Sequence, residues 1–170
     1  MNPFFLWLES TALSVWIRES TSVFAYPAIL SAHAIGMGLA AGINAALALR
    51  LLGVGPDILA SDLKPFVPAM WLGFWLNAVS GVALLIAYPT KALTNPLFYV
   101  KLSLIAAGIW TFTLIRRRIF RDPVSLPVSS HSSASRGLTL LAVASPVCWA
   151  GAITSGRLLA YTYTRLFASW

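Results

Sequence analysis

Long apolar stretches with few polar interruptions divide this chain. Four of them cover residues 23–50, 66–88, 97–116 and 137–161. A transmembrane helix needs about 20 consecutive, mostly apolar residues, and each stretch meets that length. The pattern therefore predicts an all-α integral membrane protein, a four-transmembrane-helix bundle that forms a single membrane domain over residues 1–170.

The first 20 residues follow a different pattern, in which apolar side chains recur at helical spacing and polar ones fall between them. Glu9 interrupts the apolar positions and no basic residue precedes them, unlike the start of a signal peptide. We expect an N-terminal interfacial amphipathic helix over residues 3–19, with Asn2 as its N-cap. Trp7 and Trp16 are then anchors at the level of the lipid headgroups.

The composition agrees with lipid as the solvent of this chain. Hydrophobic residues make up 58% and charged residues only 10%, where a soluble domain carries about 25% charged residues. The net charge of +7 is not gathered on one polar face but stands at the ends of the apolar stretches, which favours lipid headgroups over nucleic acid as the partner. The single cysteine, Cys148, excludes an internal disulfide and a thiolate zinc site.

The basic residues also predict an orientation. Seven lie at or within the connections that follow the first and third stretches: Arg50, Lys64, Arg116, Arg117, Arg118, Arg121 and Arg136. The segments on the other side carry three: Arg18, Lys91 and Arg165. Under the positive-inside rule this places both termini outside, in the periplasm if the chain sits in a bacterial inner membrane.

Three ionisable residues fall inside the predicted spans: His33, Lys101 and Arg157. Such residues are costly in lipid and are functional candidates by default. The predicted orientation places all three in the outer half of the bilayer. Helical spacing adds Met37 on the stripe of His33, Asn77 on the second span and Tyr161 four residues beyond Arg157.

Small residues accompany His33 along its stripe, which leaves room for a flat cofactor. One hypothesis is therefore a haem b site, with His33 as the axial ligand and metal-binding residue and with Lys101 and Arg157 pairing with the propionates. The alternative is structural. An intramembrane histidine often only hydrogen-bonds to a neighbouring helix, and lysine or arginine near a helix end can extend to the headgroups.

Other chemistry has less support in the sequence. His131 lies in the arginine-rich loop and cannot reach a site in the outer half, which disfavours a bis-histidine haem within one chain. The methionines, Cys148 and the two histidines are too scattered for a copper path. No carboxylate lies inside a span to act as a base, so no catalytic residue is assigned and enzymatic activity is left open.

Three segments, 32–39, 98–102 and 156–161, resemble a family of small bacterial four-helix inner-membrane proteins of unassigned activity. In pattern that family is distantly similar to the copper-resistance D proteins and to the membrane protoporphyrinogen oxidase of haem synthesis. The resemblance to the oxidase rests on His33 and Lys101, which match its haem-linked histidine and its functional lysine. It implies a haem-type site and does not extend to the reaction.

The favoured function is a small membrane redox protein that exchanges electrons with quinone or with a periplasmic or membrane partner. One alternative is a non-enzymatic membrane subunit or anchor of a larger complex. Another is a pigment-binding membrane protein, since one histidine among small residues also suits a chlorin. Gly38 and Gly42 form a GxxxG pattern that suits helix packing, including contact between two copies in a homodimer.

Overall fold

The computed structural model describes residues 3–55, 57–58, 60–120 and 133–166. Every regular element in these ranges is a helix. The predicted N-cap Asn2 and the loop residue His131 lie outside them.

Four helices are long and apolar enough to cross a membrane. They are α3 (Tyr26–Leu51), α4 (Val67–Ala87), α6 (Pro96–Phe120) and α7 (Ser133–Leu166). The predicted fold class, an all-α four-helix membrane bundle, is confirmed, and the chain is a multi-pass membrane protein. Pro146 lies inside α7, which continues through it.

Each span begins where a local signal starts a helix. Proline stands in the first turn of both α3 and α4, where its missing N–H would have had no helical partner. The α3 helix therefore begins at Tyr26, three residues after the predicted start at Val23. At Tyr88 the chain leaves helical geometry and α4 ends.

Two helical hairpins make up the bundle, α3 with α4 and α6 with α7, and contact between α3 and α7 joins them. The α3–α4 contact is the tightest, because it is built on glycines. A Cβ added at Gly36 would lie 2.6 Å from the Asn77 nitrogen and from the Gly73 oxygen, and one added at Gly73 would lie 2.6 Å from the Leu39 Cβ. Only glycine allows the two backbones to approach this closely.

The N-terminal segment forms two short helices where one was predicted over residues 3–19. These are α1 (Pro3–Glu9) and α2 (Ala12–Glu19). The interruption occurs because Thr11 takes an extended conformation and its side chain accepts a hydrogen bond from the Ser14 nitrogen, which makes it the N-cap of α2. Ser14 is buried and donates to the Ala87 carbonyl at 3.4 Å, so α2 packs against the end of α4.

Two more short helices connect the spans. A 3₁₀ helix, Ala60–Phe66, leads into α4, and α5 (Pro89–Leu93) lies between α4 and α6. The α1 helix packs beside α5, where the Thr90 nitrogen donates to the Glu9 carboxylate at 3.4 Å.

The interior of the bundle changes character along its length. We call the end where α3 begins and α7 ends the His33 half, and the end next to Arg118 and Arg136 the arginine half. The arginine half is filled by a buried apolar cluster: Leu47, Met70, Phe112 and Ile115. A second cluster of Met37, Ala40 and Trp149 occupies the middle. Polar side chains from several helices meet in the His33 half.

Candidate functional site

His33 is half-buried on α3 and faces α4. Its Nδ1 atom lies 3.1 Å from the Asn77 carbonyl oxygen and 3.1 Å from the Ser80 hydroxyl oxygen. A carbonyl can only accept, so Nδ1 is assigned as the donor from its partners. The Ser80 hydroxyl donates to the Leu76 carbonyl at 2.6 Å, which leaves its oxygen free to accept from the ring. The imidazole is thus fixed with its lone pair at Nε2.

Asn77 forms a second hydrogen bond with His33. Its side-chain Nδ2 donates to the His33 carbonyl oxygen at 2.8 Å, while its own carbonyl accepts from the His33 ring. The two residues therefore hold each other across the α3–α4 contact. Because Gly36 and Gly73 bring the backbones together one turn deeper, these bonds need no long side chains.

Lys101 approaches the other side of the imidazole from α6. Its Nζ lies 3.1 Å from His33 Nε2, and with Nδ1 assigned as a donor, Nζ donates to this nitrogen. The lysine stem lies over Gly156 of α7, where an added Cβ would be 3.5 Å from Cδ, Cε and Nζ. Residues of all four spans therefore surround one histidine–lysine pair.

Two glycines border this pair and let it pack closely against α4 and α7. A Cβ added at Gly81 would lie 3.2 Å from the Cε1 atom of His33, and one added at Gly156 would be in van der Waals contact with Lys101. A side chain in place of Gly81 would press on the imidazole, and one larger than alanine in place of Gly156 would displace the lysine stem.

An apolar groove of about 380 Å³ runs along α6 on the side that faces α4. Its lining consists of Phe74, Leu102, Ile105, Ala106, Ile109, Trp110 and Thr113. Leu102 follows Lys101 in sequence, and Ile105 lies one helical turn from Lys101 on the same face of α6. The groove thus begins within one helical turn of Lys101 and runs along the surface of the bundle toward the arginine half.

The predicted site residues separate into two groups. His33, Asn77 and Lys101 come together, and Met37 lies one turn deeper on α3, buried against Ala40 and Trp149. Arg157 and Tyr161 lie on the exposed side of α7, away from the imidazole.

The separation of Arg157 and Tyr161 has a geometric reason. Both residues fall on a stripe that starts at Trp149 and advances by steps of four residues. Each step of four turns about 40° past a full rotation, so the stripe leaves the interior after one or two steps. The buried face of α7 is instead Trp149, Ala152 and Ser155.

Sequence reasoning missed two contributors to the site. Ser80 lies three residues after Asn77 and therefore shares its helix face, which is the signal that the sequence offers. That spacing does not show that the Ser80 hydroxyl accepts from the His33 ring. Gly156 contributes by leaving room for the stem of Lys101, which belongs to α6. The spacing of residues within α7 does not show such a contact between helices.

The donor set limits the chemistry. Among the residues that the structure describes, no group of three His, Cys, Asp or Glu side chains could hold a metal ion. The site offers one imidazole lone pair, on His33 Nε2, in a ring that is held by hydrogen bonds at Nδ1. The amine of Lys101 lies next to this lone pair. This arrangement suits a single axial bond to a cofactor's metal, or a ligand with hydrogen-bond acceptors or a negative charge.

Fold and site together define a four-span helical membrane protein with a histidine–lysine pair enclosed by its helices. No family model, curated protein or solved structure matches the chain. The resemblance to small bacterial four-helix membrane proteins therefore stays an interpretation of the segments around His33, Lys101 and Gly156.

Proposed function

We propose that this chain is a small redox protein of a bacterial inner membrane that holds haem b through His33. The supporting observation is the anchoring of the ring. Nδ1 is engaged by the Asn77 carbonyl and the Ser80 hydroxyl, which leaves Nε2 as the one ring atom able to bind iron. Histidines that ligate metals commonly donate their other N–H in this way.

The residues around His33 fit one axial ligand. Gly81 and Gly156 add no side chain of their own next to the histidine–lysine pair, so the ring and the lysine stem lie directly on α4 and α7. Lys101 ends a flexible four-carbon stem, so its amine can leave Nε2 and pair with a propionate. Haem b would supply a one-electron iron couple. No second histidine lies in the described spans.

Lys101 is the cation that the fold positions for this role. Its Nζ is 3.1 Å from the ring, whereas Arg157, which the sequence also suggested as a propionate partner, lies on the exposed side of α7. The proposal therefore assigns anion binding to Lys101 and leaves Arg157 at the surface of the bundle, where its guanidinium can reach headgroups.

The proposed orientation places the His33 half toward the periplasm. This orientation follows from the positive-inside rule. Seven basic residues lie around the connections at the arginine half, and three lie in the segments at the His33 half. The proposed electron partner is then quinone in the bilayer or a protein that reaches the outer face.

The test is the absorption spectrum of the detergent-purified protein, produced in a host supplied with haem. A Soret band that disappears in His33→Ala and persists in Ser80→Ala is expected, because Ser80 supports the ring but does not supply the lone pair. A pyridine haemochrome assay separates haem from a chlorin. A colourless protein that is monodisperse and helical by circular dichroism would contradict the proposal.

A second candidate function is a non-enzymatic subunit or anchor, and one observation favours it. Gly38 and Gly42 lie on an exposed face of α3, where an added Cβ meets nothing within 4 Å in the described part of the chain. Such a face allows the close approach of another helix. Stoichiometric co-purification of a neighbouring protein with a colourless chain, lost in Gly38→Leu, would support this function.

A further inference from the structure

Three polar atoms in the middle of the bundle are buried without a hydrogen-bond partner among the described residues. They are Asn44 Oδ1, Ser145 Oγ and Trp149 Nε1. The three residues are only 2%, 1% and 3% exposed. The Asn44 Nδ2 donates to the Ala40 carbonyl at 2.8 Å, so only the Oδ1 atom of this side chain lacks a hydrogen-bond partner among the described residues.

The three residues lie close in depth on two packed helices. Ala40 of α3 and Trp149 of α7 belong to one buried cluster, and the two helices run in opposite directions. Asn44 lies four residues after Ala40, and Ser145 lies four residues before Trp149. Each is therefore one helical turn, about 5 Å, further toward the arginine half than its neighbour in the cluster.

Trp149 brings a third helix to this region. A Cβ added at Gly108 of α6 would lie 3.0 Å from the indole Nε1, so the N–H group lies against the α6 backbone. The Gly108 carbonyl itself accepts from the Thr111 hydroxyl at 2.8 Å.

Unpaired polar groups are expensive at this depth, because lipid offers no hydrogen bonds to compensate them. The missing partners must also differ in kind. The indole N–H needs an acceptor, the Asn44 oxygen needs a donor, and the Ser145 hydroxyl takes either. A bound cation cannot accept from an N–H group, and an acyl chain does neither. Water does both.

We propose that internal water molecules bind at the centre of the bundle and satisfy Asn44, Ser145 and Trp149. Buried waters characteristically make two to four hydrogen bonds to otherwise unpaired groups. The apolar cluster formed by Leu47, Met70, Phe112 and Ile115 closes this hydration site on the arginine side. The proposal is independent of haem, since none of the three residues contacts His33.

The direct test is nuclear magnetic resonance of the full chain in detergent micelles, with ¹⁵N-labelled tryptophan. The Trp149 indole signal, assigned through Trp149→Phe, should show a cross-peak to water. Trp110 is the matched control, since it is an indole in the apolar middle of α6 that is 69% exposed toward lipid. A water cross-peak at Trp149 that is absent at Trp110 supports the site, and no water contact at Trp149 overturns it.

A thermal unfolding experiment tests the same proposal by the sign of the effect. If water binds there, Ser145→Ala deprives it of a partner and lowers the unfolding midpoint, by roughly 2–4 °C. If the region is dry, the substitution removes an unpaired polar atom and the midpoint rises or stays unchanged, which overturns the proposal. Ser155→Ala is the control, because it also removes a buried hydroxyl from α7. Unlike Ser145, Ser155 already has a protein partner, since its hydroxyl donates to the Ala152 carbonyl at 3.1 Å.

Discussion

The two halves of this bundle are held together in different ways. In the His33 half, glycines let α3 and α4 approach, and hydrogen bonds link His33 to Asn77 and Lys101. In the arginine half, large apolar side chains interlock, and the Trp71 and Phe112 rings meet edge to face at 6.5 Å. Membrane helices gain little from the hydrophobic effect on association, so one half is specified by polar geometry and the other by side-chain volume.

The strongest test of the volume-filled half is Phe112→Ala. Phe112 is 1% exposed, and the truncation leaves a cavity among Leu47, Met70 and Ile115. We expect a loss of about 3–5 kcal/mol in the free energy of unfolding, measured by denaturant unfolding in micelles. Trp110→Ala, a truncation of a lipid-facing ring two positions earlier on α6, should cost far less. Equal losses for the two variants would contradict the apolar cluster as the source of stability in this half.

The next largest effect should come from the glycine contact. In Gly36→Ala the new Cβ would meet backbone atoms of α4 at 2.6 Å, so the helices must separate. Overpacking of this kind costs about 1–3 kcal/mol. Gly38→Ala adds the same methyl group two residues further along α3, where nothing lies within 4 Å in the described structure. That control should be neutral or gain up to about 1 kcal/mol from helix propensity.

Asn77→Leu should have a smaller effect on stability. It removes the bond from Nδ2 to the His33 carbonyl but keeps the backbone carbonyl that anchors the ring. Hydrogen bonds between membrane helices contribute about 0.6–1.7 kcal/mol, and a loss in that range is expected from the same unfolding measurement. A loss as large as that of Phe112→Ala would mean that polar contacts, and not packing alone, dominate the whole bundle.

The smallest effect is expected at Arg157. Arg157→Gln changes an exposed side chain and should leave both the unfolding midpoint and any Soret band unchanged. Lys101→Gln, the matched change at the position beside His33, should weaken retention of haem on dilution, because it removes the cation proposed to pair with a propionate. If the two variants lose haem equally, Arg157 belongs to the site and the assignment to Lys101 alone is wrong.

The sequence predicted the spans well because lipid imposes a strong, local requirement. The predicted second span, residues 66–88, differs by one residue at each end from α4, Val67–Ala87. The broken N-terminal helix was missed although Thr11, a good N-cap residue, stands at the break. Thr11 indicates a helix start, whereas the apolar spacing over residues 3–19 indicates one continuous helix. The contact of Ser14 with α4, which is a tertiary contact, does not follow from the local sequence.

The site was predictable only in part, for a physical reason. That an ionisable residue lies inside a span can be seen in the sequence, so His33 and Lys101 were found as candidates. That α6 places Lys101 against the imidazole depends on the order of the helices in the bundle, which no single span encodes. Arg157 and Tyr161 lie on the exposed side of α7, because steps of four residues rotate away from the interior.

The anchor of the His33 ring has one more consequence, which concerns mutagenesis. One of the two acceptors for Nδ1 is a main-chain oxygen at Asn77, and no side-chain replacement at that position deletes it. An alanine scan along α4 would therefore remove the Ser80 hydroxyl but would leave this main-chain acceptor in place. Changes that shift the whole helix, such as enlarging Gly36 or Gly73, would move that oxygen. A glycine one turn deeper in the bundle would then score as essential, while Asn77 itself scores as tolerant.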